Sequence, residues 1–229
     1  MKYILIDLGD TVFYNIDLSF IQGGYFLYDM IKNPKPDRAT FMEQYSQLIH
    51  TCYEERREIE IPFSSFLRYL ARILKISYRL PLKDVEQGYC FSFSKNELVP
   101  GVDVFLRDCH EKGMKVVALS NSAFHRSTLC VQLECFGILS YFTEVLSSAD
   151  WIFRKPSISY FDIGVKTLDC DKKDILFIGN DYHVDVLGAE KAGIPCAWLQ
   201  EKPEEHPIQP STFIIRSYQE LIAYSKGND

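Results

Sequence analysis

Long hydrophobic runs are missing from this 229-residue sequence, and without them no membrane-spanning helix is expected. A basic excess is missing too. The chain carries 25 Lys and Arg against 31 Asp and Glu, a net charge of −6, which leaves no electrostatic footprint for nucleic acid. Paired cysteines are absent: the 7 cysteines are odd in number and include no Cys-x-x-Cys, so neither a disulfide framework nor a zinc site is expected. There is no internal repeat and no low-complexity segment. The opening MKYILIDLGD is too short an apolar run for a signal peptide and reads as a first strand. Together these absences describe a reduced, cytoplasmic protein with no nucleic-acid or membrane partner.

What is present is an ordinary globular balance, 47% hydrophobic and 24% charged, long enough for one large domain or two modest ones with a core of their own. Short apolar runs recur at Tyr3–Ile6, Val116–Leu119, Glu144–Leu146, Ile175–Ile178, Cys196–Leu199 and Phe213–Ile215. Between them lie segments of helical spacing, such as Val102, Phe105, Leu106 and Cys109 closed by Gly113, and Ile158, Phe161, Val165 and Leu168. Strands alternating with helices predict an α/β fold with a parallel sheet. Residues 16–98 read differently. They are rich in aromatics and helix formers, punctuated by Pro34, Pro36, Pro62 and Pro81, with Phe66, Leu67, Leu70, Ile73 and Leu74 on one face. The expected organisation is a Rossmann-like core of residues 1–15 and 99–229 with an all-helical insertion at 16–98.

In an open parallel sheet the chemistry sits just beyond the carboxyl ends of the strands. The first run is followed by Asp7-Leu8-Gly9-Asp10-Thr11, the second by Ser120-Asn121-Ser122, and the run at 175–178 by Gly179-Asn180-Asp181, with Asp185 beyond; Lys155 precedes a predicted helix. Singly, each has a local explanation as a turn, a helix cap or a surface charge. On one rim they supply a carboxylate nucleophile, a hydroxyl and an amide, one cation and further carboxylates. Asp7, Asp181 and Asp185 set three negative charges against Lys155, and like charges that close call for a cation; Mg²⁺ suits a site shared with phosphate. Gly23-Gly24, among Phe20, Tyr25 and Phe26, is a candidate flexible element or a helix break. Arg56-Arg57 can be read as a phosphate clamp, or Arg56 as a surface partner of Glu60 four residues on.

The stretches ILIDLGDTVF, VPGVDVFLRDCHEKGMKVVALSNS, FRKPSISYFDIGVKTL and ILFIGNDYHVDVLGAEKAGIP resemble the haloacid dehalogenase-like hydrolase superfamily, in its helical-cap subgroup. The resemblance implies a Mg²⁺-dependent hydrolase of small phosphorylated metabolites. It implies Asp7 as nucleophile, Ser120 with Asn121 at the phosphoryl group, and Lys155 as the steadying cation. Asp7, the Gly9 carbonyl, Asn180, Asp181 and Asp185 are the metal-side candidates, and segment 16–98 stands where the family inserts its cap. Two departures stand out. Gly9 occupies the position where most family phosphatases carry the acid that protonates the leaving oxygen, and Asn180 occupies the usual place of a motif aspartate. Alternatives stay open: a C–halogen or C–P bond hydrolase, whose leaving group needs no proton from position 9, or a relative that binds a phosphorylated ligand or partner without turnover.

Overall fold

The computed structural model describes residues 2–32, 35–54 and 58–226. Six apolar runs become six strands: β1 (Tyr3–Ile6), β4 (Lys115–Ser120), β5 (Glu144–Ser147), β6 (Ile175–Gly179), β7 (Cys196–Leu199) and β8 (Thr212–Ile215). They form one sheet in the order β5-β4-β1-β6-β7-β8, and every pairing is parallel. The α/β expectation therefore holds. Strands covered on both faces need apolar side chains on both faces, so they appear in sequence as unbroken runs. One face packs with Val102, Phe105, Leu106 and Tyr218; the other with Tyr160, Phe161, Val186 and Ala189. The helices responsible are α5 (Val102–Glu111), α6 (Arg126–Cys135), α7 (Ile158–Leu168), α8 (Leu187–Ala192) and α9 (Tyr218–Lys226). β1 lies at the sheet centre, between β4 and β6, so its carboxyl end opens where strand order reverses.

The segment between β1 and α5 holds α1 (Phe20–Asp29), α2 (Arg38–Tyr53), α3 (Phe63–Leu74) and α4 (Leu82–Phe93), around a separate core that includes Leu27, Phe41, Tyr45, Phe66, Leu70 and Tyr89. Pro62 and Pro81 sit at the N-caps of α3 and α4, where a missing N–H costs nothing. The insertion is not wholly helical. β2 (Phe13–Leu18) and β3 (Ser94–Leu98) pair antiparallel as a ribbon between sheet and helices; the boundary expected at 15/16 falls inside β2, and the one at 98/99 falls at the end of β3. Its mostly exposed and polar residues make no apolar run, and its partners are about 80 positions apart.

Gly23 and Gly24 are neither a break nor a flexible element. Both are buried within α1, and a Cβ on Gly23 would lie 2.5 Å from the Tyr89 ring, one on Gly24 2.8 Å from the Tyr45 ring. They are glycines because α1 packs directly on aromatic faces of its neighbours. Arg56 and Arg57 lie outside the described residues. Glu60, expected at the surface, is buried: its Oε2 accepts from Ser148 Oγ at 2.7 Å, and Arg154 Nε lies 3.6 Å away. The chain around it docks on the core as a short antiparallel bridge, with Ile59 opposite Phe153, Glu60 N donating to Ile152 O and Arg154 N to Glu58 O. All seven cysteines are free, and among the described residues no helix is long and apolar enough to cross a membrane.

Candidate active site

The strand ends bring most of the singled-out residues together. Asp7 follows β1, and its N–H donates to Ile178 O on β6 at 2.9 Å, which fixes where its side chain leaves the sheet. The next residues coil tightly: Val12 N and Phe13 N return to Leu8 O, and Asp10 takes a left-handed φ of 55°, a conformation Asp tolerates better than most residues. This turn brings Thr11 under the site. Its Oγ1 lies 3.2 Å from Asp7 Oδ2 and 3.1 Å from Asn180 Oδ1.

Lys155 is 1% exposed, and its Nζ donates to Asp7 Oδ1 at 2.5 Å and to Asp185 Oδ1 at 2.7 Å. Burial works against this ammonium, but the Asp185 and Asp7 charges outweigh it and hold its pKa above the ordinary value. Asp185 is in the opposite position. Burial pushes its carboxyl up, Lys155 pulls it down, the Asp7 charge pushes it up again, and the balance leaves it at about 6. Its other oxygen accepts from the N–H groups of Asn180 and Asp181, both at 3.1 Å. A Cβ on Gly179 would lie 2.6 Å from this carboxyl, so only glycine lets Asp185 fold over the end of β6. Asp185 thus has both oxygens occupied and acts on the site through Lys155.

Asn121 is similarly engaged. Its Oδ1 accepts from Lys155 N and its Nδ2 donates to Lys155 O, both at 2.8 Å, so this amide clamps the lysine's backbone instead of facing the cavity with a free group. Ser120 ends β4 on the cavity wall, its carbonyl held by Tyr160 Oη at 3.0 Å. Asp181 departs furthest from expectation. It is exposed, and its Oδ1 accepts from Val184 N at 2.8 Å, capping the π-helical turn Tyr182–Val186. The side chain that reaches Thr11 beside Asp7 is Asn180, whose own carbonyl is tied by Trp198 Nε1 at 2.9 Å. The three-carboxylate excess inferred from sequence therefore reduces to two carboxylates around one ammonium.

Does this donor set suit a magnesium ion? Among the described residues no three His, Cys, Asp or Glu side chains cluster as metal ligands. Yet Thr11 has one proton for two acceptors, Asp7 Oδ2 and Asn180 Oδ1, so one of these converging oxygens always lacks its donor. One carboxylate, one amide oxygen and a nearby backbone make a hard, oxygen-only set. That is compatible with Mg²⁺, which keeps several waters and takes few protein ligands.

These residues floor a cavity of 490 Å³ between the sheet and the helical insertion. Its roof comes from residues that the sequence did not single out for the site: Tyr53, Phe63, Tyr89 and Phe93, with Phe124 from the loop after β4. The roof is tied to the core at a further junction besides the one at Glu60. Phe63 N donates to Ala123 O at 2.7 Å, His125 N and Thr128 Oγ1 donate to Glu86 Oε1, and His125 lies between Ser64 Oγ (2.9 Å) and Asp150 Oδ1 (2.6 Å). This Ser–His–Asp chain has the order of a hydrolytic triad, but Ser64 is buried at 7% exposure at the contact, and the chain serves to dock insertion on core. The Asp150 hydrogen bond holds the His125 pKa up against burial.

A family model described as haloacid dehalogenase-like hydrolase matches residues 59–199. A glyceraldehyde 3-phosphate phosphatase of Methanothermobacter thermautotrophicus is 30% identical over 95 residues, 42% of this chain and 41% of that protein. The chain spans between 37% and 46% of the length of the first curated relatives that it matches. Among solved structures, a HAD phosphatase from Thermococcus onnurineus aligns over 99% of both chains with a TM-score of 0.70 at 17% identity. The putative HAD-hydrolase YfnB from Bacillus subtilis, solved with magnesium bound, aligns over 97% of both with a TM-score of 0.59 at 20% identity. These two likenesses concern the fold.

Proposed function

Given that the chain belongs to the haloacid dehalogenase-like hydrolases, we propose that it is a Mg²⁺-dependent phosphatase of small phosphate monoesters working through an aspartyl-phosphate at Asp7. The observation that carries this reading is the buried Asp7–Lys155–Asp185 contact at the end of the central strand, opening on the cavity beneath the helical insertion. Membership in a family of hydrolases, with a phosphatase among the relatives, supports the reaction class.

In this reading Asp7 attacks phosphorus, the bond from phosphorus to the ester oxygen breaks, and the alcohol leaves. Water then cleaves the acyl phosphate, releasing inorganic phosphate and restoring the carboxylate. Lys155 holds Asp7 in place and offsets negative charge as the phosphoryl group transfers, while Asp185 and Asn121 keep Lys155 there. Ser120 contributes a hydroxyl to a phosphoryl oxygen. Asp7, Asn180 and the Gly9 carbonyl would hold Mg²⁺, which supplies further charge neutralisation when bound.

Phosphate release from p-nitrophenyl phosphate with Mg²⁺ tests the reading. Asp7→Asn should lower turnover by about 10³-fold or more, because an amide forms no acyl phosphate, with the circular dichroism spectrum unchanged. Chelation of divalent metal should abolish activity and Mg²⁺ restore it. Near-normal turnover by a folded Asp7→Asn protein, or halide release from a 2-haloacid without metal, would overturn it.

A further inference from the structure

The cavity is asymmetric. Its floor is charged and hydrogen-bonding; its far wall is a connected set of rings. Phe63 and Tyr89 lie 4.2 Å apart between centroids, Phe20 and Phe93 4.9 Å, and Tyr89 and Phe93 5.5 Å at an interplanar angle of 12°. Phe124 from the core closes the set at 5.5 Å from Phe63. Tyr89 Oη is engaged with Tyr45 Oη at 2.8 Å, so this ring offers the cavity carbon more than hydroxyl. Among the described residues the lining holds two cations, Lys155 and Arg154, both from the core, and none from the insertion. Asn15, Ser94 and Asn96 of the ribbon also line the cavity, but among the described residues a second phosphate or carboxylate finds no countercharge on the insertion side. Phe63 and Tyr89 are almost wholly buried beneath this wall, whereas Phe20, Phe93 and Phe124 keep exposed surface on which a flat ring can pack.

A second observation concerns position 9. A Cβ there would meet nothing within 4 Å, and the backbone is not in the left-handed region, so a side chain could begin at this position without strain. Nothing at this position gives a proton to the departing oxygen. An alkoxide needs that proton; a phenolate, being a far weaker base, does not.

We propose that the site is built for phosphate monoesters of phenols, with the aromatic group of the leaving alcohol against Phe20, Phe93 and Phe124. The inference rests on the phosphatase reading and names its substrate class. The step balances as in that reading: the phosphorus–oxygen bond breaks, and the electron pair leaves on the phenolate oxygen, which takes its proton from solvent after departure.

Four substrates separate the two observations: p-nitrophenyl phosphate (ring, good leaving group), acetyl phosphate (no ring, good), 2-phenylethyl phosphate (ring, poor) and glucose 6-phosphate (neither). Expected kcat/KM values show a ring advantage of about tenfold within each leaving-group class and a leaving-group advantage of about 10²-fold within each ring class. Phe93→Ala should erase the first advantage and keep the second. Gly9→Asp should narrow the second by up to about 10²-fold and keep the first. Acetyl phosphate turnover with no ring advantage, or a nucleoside 5′-monophosphate outrunning p-nitrophenyl phosphate, would overturn the inference and leave the phosphatase reading standing. Failure on all four phosphates would overturn both.

Discussion

The sheet core and the helical insertion face the same cavity but contribute to it in different ways. Core side chains arrive singly, each from a strand end whose position is set by backbone pairing: Asp7 from β1, Ser120 from β4, Asn180 and Asp185 after β6. Asp7 and Asp185 bear charge and share Lys155, and Asp7 and Asn180 share Thr11, so moving one of these disturbs the others. The insertion supplies ring surfaces belonging to its own packed core, joined to the sheet through Glu60, Glu86 and Phe63. The contrast teaches that a reaction centre needs fixed points, which a parallel sheet provides, whereas selection among substrates needs a shaped wall, which a small helical domain can alter without touching the chemistry.

Four substitutions probe that division. The largest effect is expected in the core. Lys155→Met keeps the side chain's length but leaves two buried carboxylates without their counter-ion, and should cost about 3–5 kcal/mol in urea unfolding as well as most of the turnover. A buried acid with a raised pKa destabilises the fold above that pKa, and the penalty fades as the pH falls toward the unfolded-state value. Asp185 stands at about 6 even beside the lysine and rises further without it, so the deficit of the variant should be full only well above pH 6 and shrink as the pH falls toward about 6, below which the carboxyl is protonated in both folded proteins. A deficit flat with pH would mean that charge is not what Lys155 contributes.

Next comes the insertion. Gly23→Ala places a methyl 2.5 Å from the Tyr89 ring and should cost about 1–3 kcal/mol through overpacking. If core and wall are separable, KM for p-nitrophenyl phosphate rises while kcat on acetyl phosphate holds. An equal loss of kcat on both substrates would show that the insertion governs the chemistry as well.

The smallest effect distinguishes neighbours. Asp181→Ala removes a helix cap and should cost about 0.5–2 kcal/mol, with the Mg²⁺ requirement unchanged. Asn180→Ala should raise the Mg²⁺ concentration needed for half-maximal activity. The reverse pattern would return the metal-side role to Asp181.

Residue order along the strands was legible because it is a local property: a strand buried on both faces must be apolar throughout, and polar residues that interrupt it at its end draw notice. So Asp7, Ser120, Asn180 and Asp185 could be found without coordinates, whereas Lys155, which alone reads as a surface charge, emerged only beside them and from the family resemblance. Ring positions in the insertion read as core, as most of them are, and nothing in their spacing says which rings also face a cavity. The ribbon of β2 and β3 escaped because its pairing joins residues about 80 apart through exposed, polar positions. Glu60 read as a surface charge because its partners, Ser148 and Arg154, belong to a distant loop.

Local composition and periodicity, then, were enough for the α/β class, the succession of strands and helices, and the strand ends where charge collects. Which of Asn180 and Asp181 turns inward depended on the backbone after β6, whose N–H groups point at Asp185 and leave Asp181 to cap the following turn. Whether Asn121 meets substrate or clamps Lys155, whether Gly9 borders open space, and which rings roof the cavity are contacts between segments remote in sequence. Packing settles them, because the energy of such contacts depends on distances that periodicity along the chain does not encode.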